Sequence, residues 1–315
     1  MRSLVTGGAG FIGSHLVDAL VARGDKVAVI DDLSSGTREN IAGAIESGAT
    51  LYITDIRDQD SVKEIFETAR PELVFHLAAQ MDVRRSVKDP AFDASVNVAG
   101  TVNVLHCCHL QSVKRFVFVS TGGAVYGDNP NLPLSEEEAS IPLSPYGQSK
   151  LAAEGYVDFF HRVHDLDGVT LRLANVYGPR QDPYGEGGVV AIFCGKLKEE
   201  KRPRIFGDGE QTRDFVYVHD VVKATLLAGS SSVSGPINIG SGEETSVLDL
   251  VRLIGLHRAE GDFDPIFAGK REGEIDRIAI DPGKAKVELG WQADTGLEAG
   301  LGATLRQLEV RAGSG

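Results

Sequence analysis

Ser3-Leu4-Val5-Thr6-Gly7-Gly8-Ala9-Gly10-Phe11-Ile12-Gly13 is the stretch whose reading decides the fold. Its first four residues suit a short buried strand. From Phe11 onward Ile12, Leu16, Ala19 and Leu20 recur at the spacing of a helix face, and Gly24 stands where that helix would end. Three glycines lie between. Gly7 can make the tight turn, Gly10 lets backbone amides close on an anion, and Gly13 lets the helix lie against the sheet. A helix that starts here aims unpaired N–H groups and a partial positive charge at whatever fills the turn. Glycine turns are common, so it is the strand before and the helix after that give this one its meaning.

Further strand candidates follow at Lys26-Val27-Ala28-Val29-Ile30, Leu51-Tyr52-Ile53-Thr54 and Leu73-Val74-Phe75-His76-Leu77. Two more are Arg115-Phe116-Val117-Phe118-Val119 and Val169-Thr170-Leu171-Arg172-Leu173. Ser61 and Glu64 read as a capping box for a helix ending at Ala69. Strands this apolar, separated by helical stretches, predict an α/β fold built on a doubly wound parallel (Rossmann) sheet covered on both faces. Beyond Asn175 the rhythm breaks into loop-forming stretches such as Gly178-Pro179-Arg180, with a later helix predicted over residues 246–256. Residues 1–174 are therefore expected to form the dinucleotide-binding domain. Residues 175–315 are expected to form a smaller, mixed, mainly substrate-binding portion, with the chain crossing between lobes more than once.

Asp31 ends the second strand, 18 residues past Gly13. There a carboxylate can accept hydrogen bonds from ribose hydroxyls and would repel a 2′-phosphate, which favours NAD over NADP. Asp32 beside it also reads as a solvated turn residue. Charge excludes other partners: 32 Lys and Arg against 45 Asp and Glu leave a net charge of −13, so no nucleic-acid surface is expected. No apolar run approaches the ~20 residues of a membrane span, and Met1-Arg2-Ser3 opens unlike a signal peptide. Three cysteines cannot build a disulfide framework and suit a reducing, cytoplasmic setting. His106-Cys107-Cys108-His109 falls in a helical stretch predicted over residues 97–110, where packing explains the cysteines and no metal is expected.

Ser144-Pro145-Tyr146-Gly147-Gln148-Ser149-Lys150 reads as a helix start, with Ser144 as cap and Pro145 in the first turn. Tyr146 and Lys150, four apart, share a face. A lysine ammonium beside a phenol would favour the phenolate and lower the tyrosine pKa, making it a base for a sugar hydroxyl.

With this pair in place the chain resembles the extended short-chain dehydrogenase/reductases, and within them the nucleotide-sugar 4-epimerases of the UDP-galactose 4-epimerase type. The marks are Thr6-Gly7-Gly8-Ala9-Gly10-Phe11-Ile12-Gly13, Asp31-Asp32-Leu33-Ser34-Ser35-Gly36, His76-Leu77-Ala78-Ala79-Gln80 and Ser120-Thr121-Gly122-Gly123-Ala124-Val125-Tyr126-Gly127. They continue through Tyr146-Gly147-Gln148-Ser149-Lys150, Asn175-Val176-Tyr177-Gly178-Pro179-Arg180, Arg213-Asp214-Phe215-Val216-Tyr217-Val218 and Arg271-Glu272-Gly273-Glu274. The resemblance implies NAD as cofactor, held by Gly7, Gly10, Phe11, Ile12, Gly13, Asp31, Asp32, Ser35 and Gly36. It adds Asp55 and Ile56 at the adenine, Leu77, Ala78, Ala79 and Gln80 along the cleft, and Lys150 at the nicotinamide ribose. Tyr146 would be the base. Thr121, Tyr146, Asn175, Val190, Arg213, Arg271 and Glu274 would meet a UDP-sugar, and the active form would be a homodimer.

Many such epimerases place a serine or threonine three positions before Val-Tyr-Gly, which here is Gly122. Thr121, with Ser120 behind it, is then the candidate hydroxyl. Gly122-Gly123 also lacks the carboxylate that related 4,6-dehydratases and decarboxylases carry, which disfavours elimination and ranks dehydratase, reductase and decarboxylase readings lower. An NAD-binding sensor without turnover is the non-enzyme alternative, and Tyr146 with Lys150 speaks against it. For the sugar, Ile278 falls where a family residue faces the hexose, and it leaves room for bulk. UDP-glucose/UDP-galactose is the first expectation, a UDP-N-acetylhexosamine or UDP-glucuronate the alternative. Arg84, Arg85 or Arg277 would supply the cation that a uronate requires.

Overall fold

Apolar residues alternate between two faces along each central strand, and this alternation builds the molecule. Leu4, Ala28, Ile30, Val74, Phe116 and Phe118 pack into a core on one face, while Val5, Val29, Phe75, Val117 and Leu171 pack into another. The computed structural model describes residues 1–184, 188–258, 263–270 and 275–313. Among these, seven parallel strands form the main sheet: β1 (Arg2–Thr6), β2 (Lys26–Asp31), β3 (Thr50–Ile53), β4 (Leu73–His76), β5 (Arg115–Thr121), β6 (Gly168–Leu173) and an edge strand Gly235–Ile239. Their order is Gly235–Ile239, β6, β5, β4, β1, β2, β3. The chain therefore winds outward from β1 to β3, then returns to the other side of β1 with β4. That reversal opens a crevice at the carboxyl ends of β1 and β4, the usual ligand position in such sheets.

The first helix, α1 (Phe11–Ala22), starts on Gly10, and Gly24 follows it at φ +86°. The helix Gln59–Ala69 ends as expected but is not capped by Ser61: Asp58 is the cap, and its carboxylate accepts from the Ser61 N–H at 3.2 Å. An aspartate at the true start outcompetes a hydroxyl three residues inside it. The stretch expected as one helix over residues 97–110 is a π-helical segment, Ser95–Gly100, followed by the α-helix Thr101–Leu110. Cys107 and Cys108 are buried there in the core, and all three cysteines are free.

The chain does recross. After residue 174 it leaves the sheet through short strands, Asn175–Tyr177 paired with Phe215–Tyr217. It then returns with the helix Val218–Ser230 and the edge strand Gly235–Ile239. A third apolar cluster, including Tyr177, Phe193, Phe215, Tyr217, Leu250 and Leu301, lies outside the sheet. Phe11 and Ile12 pack against it, so the first turn of α1 touches both parts.

Candidate active site at the carboxyl edge of the sheet

Missing side chains make the turn after β1. Gly7 has φ +69°, and a Cβ there would lie 2.7 Å from the Ala78 backbone nitrogen. A Cβ on Gly13 would lie 2.1 Å from the Gly7 carbonyl oxygen, and one on Gly36 would lie 2.7 Å from the Ala9 carbonyl carbon. Gly10 is roomier, with only the Gly7 oxygen 3.3 Å from its would-be Cβ. These contacts bring the turn, the start of α1, residues 77–78 and residue 36 into one backbone-lined cleft.

Asp31 braces that cleft. Its carboxylate accepts from the Ala9 N–H at 2.8 Å and the Leu33 N–H at 2.9 Å, and burial raises its pKa against those stabilising bonds. Asp32 is exposed and accepts from both the backbone N–H and hydroxyl of Ser34, as a turn aspartate does. Ser35 is exposed and Gly36 buried. Asp55 holds Arg57, which depresses its pKa, and Ile56 is buried. Leu77, Ala78 and Ala79 are partly exposed along the cleft. Gln80 is buried and bonded to Asp82, Asp93 and Asn97. His76, fully buried, links Thr6 at 2.6 Å to Thr101 at 2.9 Å, and Thr6 Oγ1 accepts from the Ala78 N–H. Because the Thr101 hydroxyl donates to the Asn97 carbonyl, His76 Nε2 must carry the proton, and Thr6 donates to Nδ1. Burial and the charge of Lys150 lower His76 to about 3, so it is neutral.

The helix Pro145–His164 starts as its sequence predicts, with Ser144 Oγ accepting from the Gly147 N–H at 3.1 Å. A Cβ on Gly147 would lie 2.6 Å from the Ala124 oxygen, so the helix start is seated directly on the short helix Gly122–Val125 after β5. Ser86 accepts from the Tyr146 N–H and donates to Val83, pinning the neighbouring helix Val83–Lys88 to the same point. Buried Lys150 donates to the Val119 carbonyl at 2.8 Å and lies 4.7 Å from the Phe118 ring centroid. Burial lowers it to about 8, against the opposing charges of Glu154 and Asp93. Here the structure corrects the expectation for Tyr146. Its phenol is pushed up, not down, because burial and then the charge of Asp93 act on it.

Ser120 does not face a substrate space: its hydroxyl donates to Glu154 at 2.5 Å, and Glu154 is ion-paired with Arg172 in the same buried network. At Gly122 a Cβ would meet Ile280 methyls at 2.8 and 3.1 Å, so that position is shaped for an apolar neighbour. A Cβ on Gly123 would instead lie 3.8 Å from Thr121 Oγ1 and 3.7 Å from Asn175 Oδ1. Thr121 and Asn175 therefore share one space across Gly123. Val190 is buried in the outer apolar cluster, and Arg213 donates to the Thr212 and Asp276 carbonyls. Arg271 and Glu274 lie outside the described residues. Ile278 is not an open pocket wall; it is 3% exposed and packs with Val125, Tyr126, Leu134 and Ile280.

Sequence reading missed Ser86, Asp93, Glu154 and Asp214. Asp214 is buried and accepts from Ser241, Gly242 and Ile280, joining three segments at the sheet edge. None belongs to a spacing pattern; only the Asp-Phe-Val-Tyr run hints at Asp214.

The cleft suits a dinucleotide: at Gly7 and Gly13 it has no room for a Cβ, it offers backbone N–H groups at a helix start, and it sets a carboxylate at the end of β2. Comparison with known proteins agrees. A UDP-glucose 4-epimerase of Mycolicibacterium smegmatis is 46% identical over 307 residues, covering 97% of each chain. The structure of a UDP-glucose 4-epimerase from Thermotoga maritima, solved with UDP-glucose, matches at a TM-score of 0.96 and 45% identity, over 99% of this chain and 100% of that one. The Thermus thermophilus UDP-glucose 4-epimerase, solved with NAD, matches at 0.91 and 40% identity over 98% and 99%. Residues 3–240 match the family model described as the NAD dependent epimerase/dehydratase family, and to that family the chain belongs.

Proposed function

We propose that the protein inverts C4 of a UDP-hexose, interconverting UDP-glucose and UDP-galactose. The observation that carries this is the placing of Tyr146 and Lys150 four residues apart on one helix start, seated on the short helix Gly122–Val125 that follows β5. The similar UDP-glucose 4-epimerases, one of them solved with UDP-glucose, support the same substrate. The turn amides from Gly7 to Gly13, with Phe11 and Ile12, hold the pyrophosphate of NAD; Asp31, with Asp32, Ser35 and Gly36 nearby, takes the adenosine ribose. Asp55, Ile56 and residues 77–80 line the rest. When bound, NAD accepts and returns hydride.

The chain's own residues manage the proton. Tyr146 takes it from the sugar 4-hydroxyl and later returns it, while Thr121 donates to the 4-oxygen from the space it shares with Asn175. Burial holds the phenol's own proton on, so Tyr146 must first lose that proton to solvent before it can accept the sugar's. The resident Lys150 ammonium would favour the loss. Asn175, Val190, Arg213, Arg271 and Glu274 serve the uridine diphosphate end, so that the ketone can turn over on its tether. On this reading residues 1–174 with 218–239 carry the cofactor, and the rest of the chain past residue 174 serves the sugar nucleotide.

A uronate reading gains nothing from its candidate cations: Arg277 pairs with Glu244 at 2.5 Å, Arg85 lies over the Phe92 ring at 4.0 Å, and Arg84 too has a partner. The decisive experiment incubates the purified protein with UDP-glucose, UDP-galactose, UDP-N-acetylglucosamine and UDP-glucuronate and separates the products. Interconversion of the first two with the highest kcat/KM is the expected result. A hundredfold preference for UDP-glucuronate would replace this reading.

We infer a homodimer, supported by a different surface. Leu110, Tyr156, Phe159 and Val163 stand exposed on the adjoining helices Thr101–Leu110 and Pro145–His164, an apolar face that a second copy would cover. Phe159→Glu should then give monomers in sedimentation. The buried free cysteines suit a reducing cytoplasm.

A further inference from the structure

One carboxylate near this site is unaccounted for. Asp93 sits on the helix Pro90–Ala94, capped by Asp89 and packed against the helix of Tyr146 and Lys150. It is fully buried. Its Oδ1 accepts from Gln80 Nε2 at 2.8 Å and Asn97 Nδ2 at 3.1 Å. Gln80 and Asn97 are locked to each other in turn, the Gln80 N–H donating to Asn97 Oδ1 and Asn97 Nδ2 donating to the Gln80 carbonyl. Its Oδ2 is buried and has no hydrogen-bond partner. A clamped, buried carboxylate with an idle oxygen is costly unless a nearby cation offsets its charge.

The charged groups around Lys150 identify that cation. On its own helix, Glu154 lies one turn onward and is already matched by Arg172. Tyr146 lies one turn back. From β4 comes His76, which is neutral, and from the Pro90–Ala94 helix comes Asp93. Lys150 itself has the Val119 carbonyl and the Phe118 ring, neither of which is an anion. Among the described residues, Asp93 is the buried residue of a short helix packed on the helix of Lys150, and it is the buried carboxylate there that no cation pairs.

We propose that Asp93 is a positioning residue whose fixed carboxylate keeps buried Lys150 an ammonium, and so sets the pH range in which the Tyr146–Lys150 pair works. The role rests on the reading of Tyr146 as base. Asp93 acts through Lys150, and the Gln80–Asn97 clamp fixes its position. The same charge opposes loss of the Tyr146 proton at rest, consistent with the raised phenol.

Asp93→Asn tests this, since the amide oxygen can keep both clamping bonds while the charge is lost. Lysine labelled in its side chain lets NMR follow Nζ against pH, with Lys150 assigned by its disappearance in Lys150→Arg. In the wild type Lys150 should titrate near 8. In Asp93→Asn the midpoint should fall by about one pH unit, and the pH profile of turnover should move down with it. Asp93→Glu, which restores charge, should bring the midpoint back toward the wild-type value. A folded Asp93→Asn protein with an unmoved Lys150 midpoint overturns the proposal, whatever its melting temperature. If the amide variant does not fold, Asp93→Ser is read in the same way. Tyr146→Phe separates the two readings: full turnover in that variant removes Tyr146 as base, while the Lys150 titration still reports on Asp93.

Discussion

The two halves of the cleft are made by opposite means. On the cofactor side, backbone approaches backbone where side chains are missing, at Gly7, Gly13 and Gly36. On the side of Tyr146, buried charges and hydroxyls interlock: Asp93 with Gln80 and Asn97, Ser120 with Glu154 and Arg172, His76 with Thr6 and Thr101. A cleft built from absence fails when atoms are added. A site built from buried polar groups fails when one partner is removed, because the other is left unpaired.

The largest test falls on the polar side. Tyr146→Phe should lower turnover by about 10²–10⁴-fold while NAD stays bound; near-normal turnover would dissolve the contrast by removing its chemistry. On the glycine side, Gly13→Ala puts a carbon 2.1 Å from the Gly7 oxygen and Gly10→Ala puts one 3.3 Å from the same atom. The first should cost about 1–3 kcal/mol of stability and lose bound dinucleotide; the second should cost under about 1 kcal/mol. Denaturant melts with a cycling assay for released NAD check both, and equal effects would deny that backbone contact shapes the turn.

The pH dependence of folding sharpens the same contrast. His76 falls from 6.5 to about 3 on folding, and His15, buried beside the Pro179 carbonyl, to about 4. Below pH 6.5 the unfolded chain takes up protons that the folded one refuses, so stability is complete above that pH and drains away as pH falls. Each histidine contributes a slope of about 1.4 kcal/mol per pH unit. His76→Asn should flatten the acid limb of urea-midpoint against pH, and an unchanged slope would mean that His76 is not buried neutral. The smallest effect belongs to Asp32→Asn, an exposed turn carboxylate: within about 0.5 kcal/mol, with NAD retained. Asp31→Asn weakens the brace between Ala9 and Leu33 and should also loosen the preference for NAD over NADP.

The same contrast explains what could be read in advance. Glycine triplets, an acid ending a strand and apolar strand runs are local patterns, so the first turn and Asp31 were legible from residues 1–31, and six strands of the sheet from their own runs. Ser144, Pro145 and the Tyr146–Lys150 spacing were legible for the same reason. Asp93 and Glu154 were not, since their significance depends on the helices and strands packed against them. Nor was the direction of the Tyr146 shift: the phenol's neighbours in sequence include Lys150, but burial and Asp93 act on it more strongly. The Ser61 cap failed against a stronger neighbour three residues upstream, and Ile278 against a core that only the folded chain assembles.

The edge strand Gly235–Ile239 has a consequence for how the chain can be made and cut. It pairs with β6 along five residues, from Gly235 opposite Val169 to Ile239 opposite Leu173. A growing chain that has left the ribosome only as far as residue 174 carries β6 with one side unpaired, a row of free N–H and C=O groups ready to take any strand it meets. That margin closes only when residue 239 emerges, after residues 175–234 have already been synthesised. A fragment ending at residue 174 would carry the dinucleotide cradle intact and yet tend to aggregate, whereas one reaching residue 240 would bring its own cover.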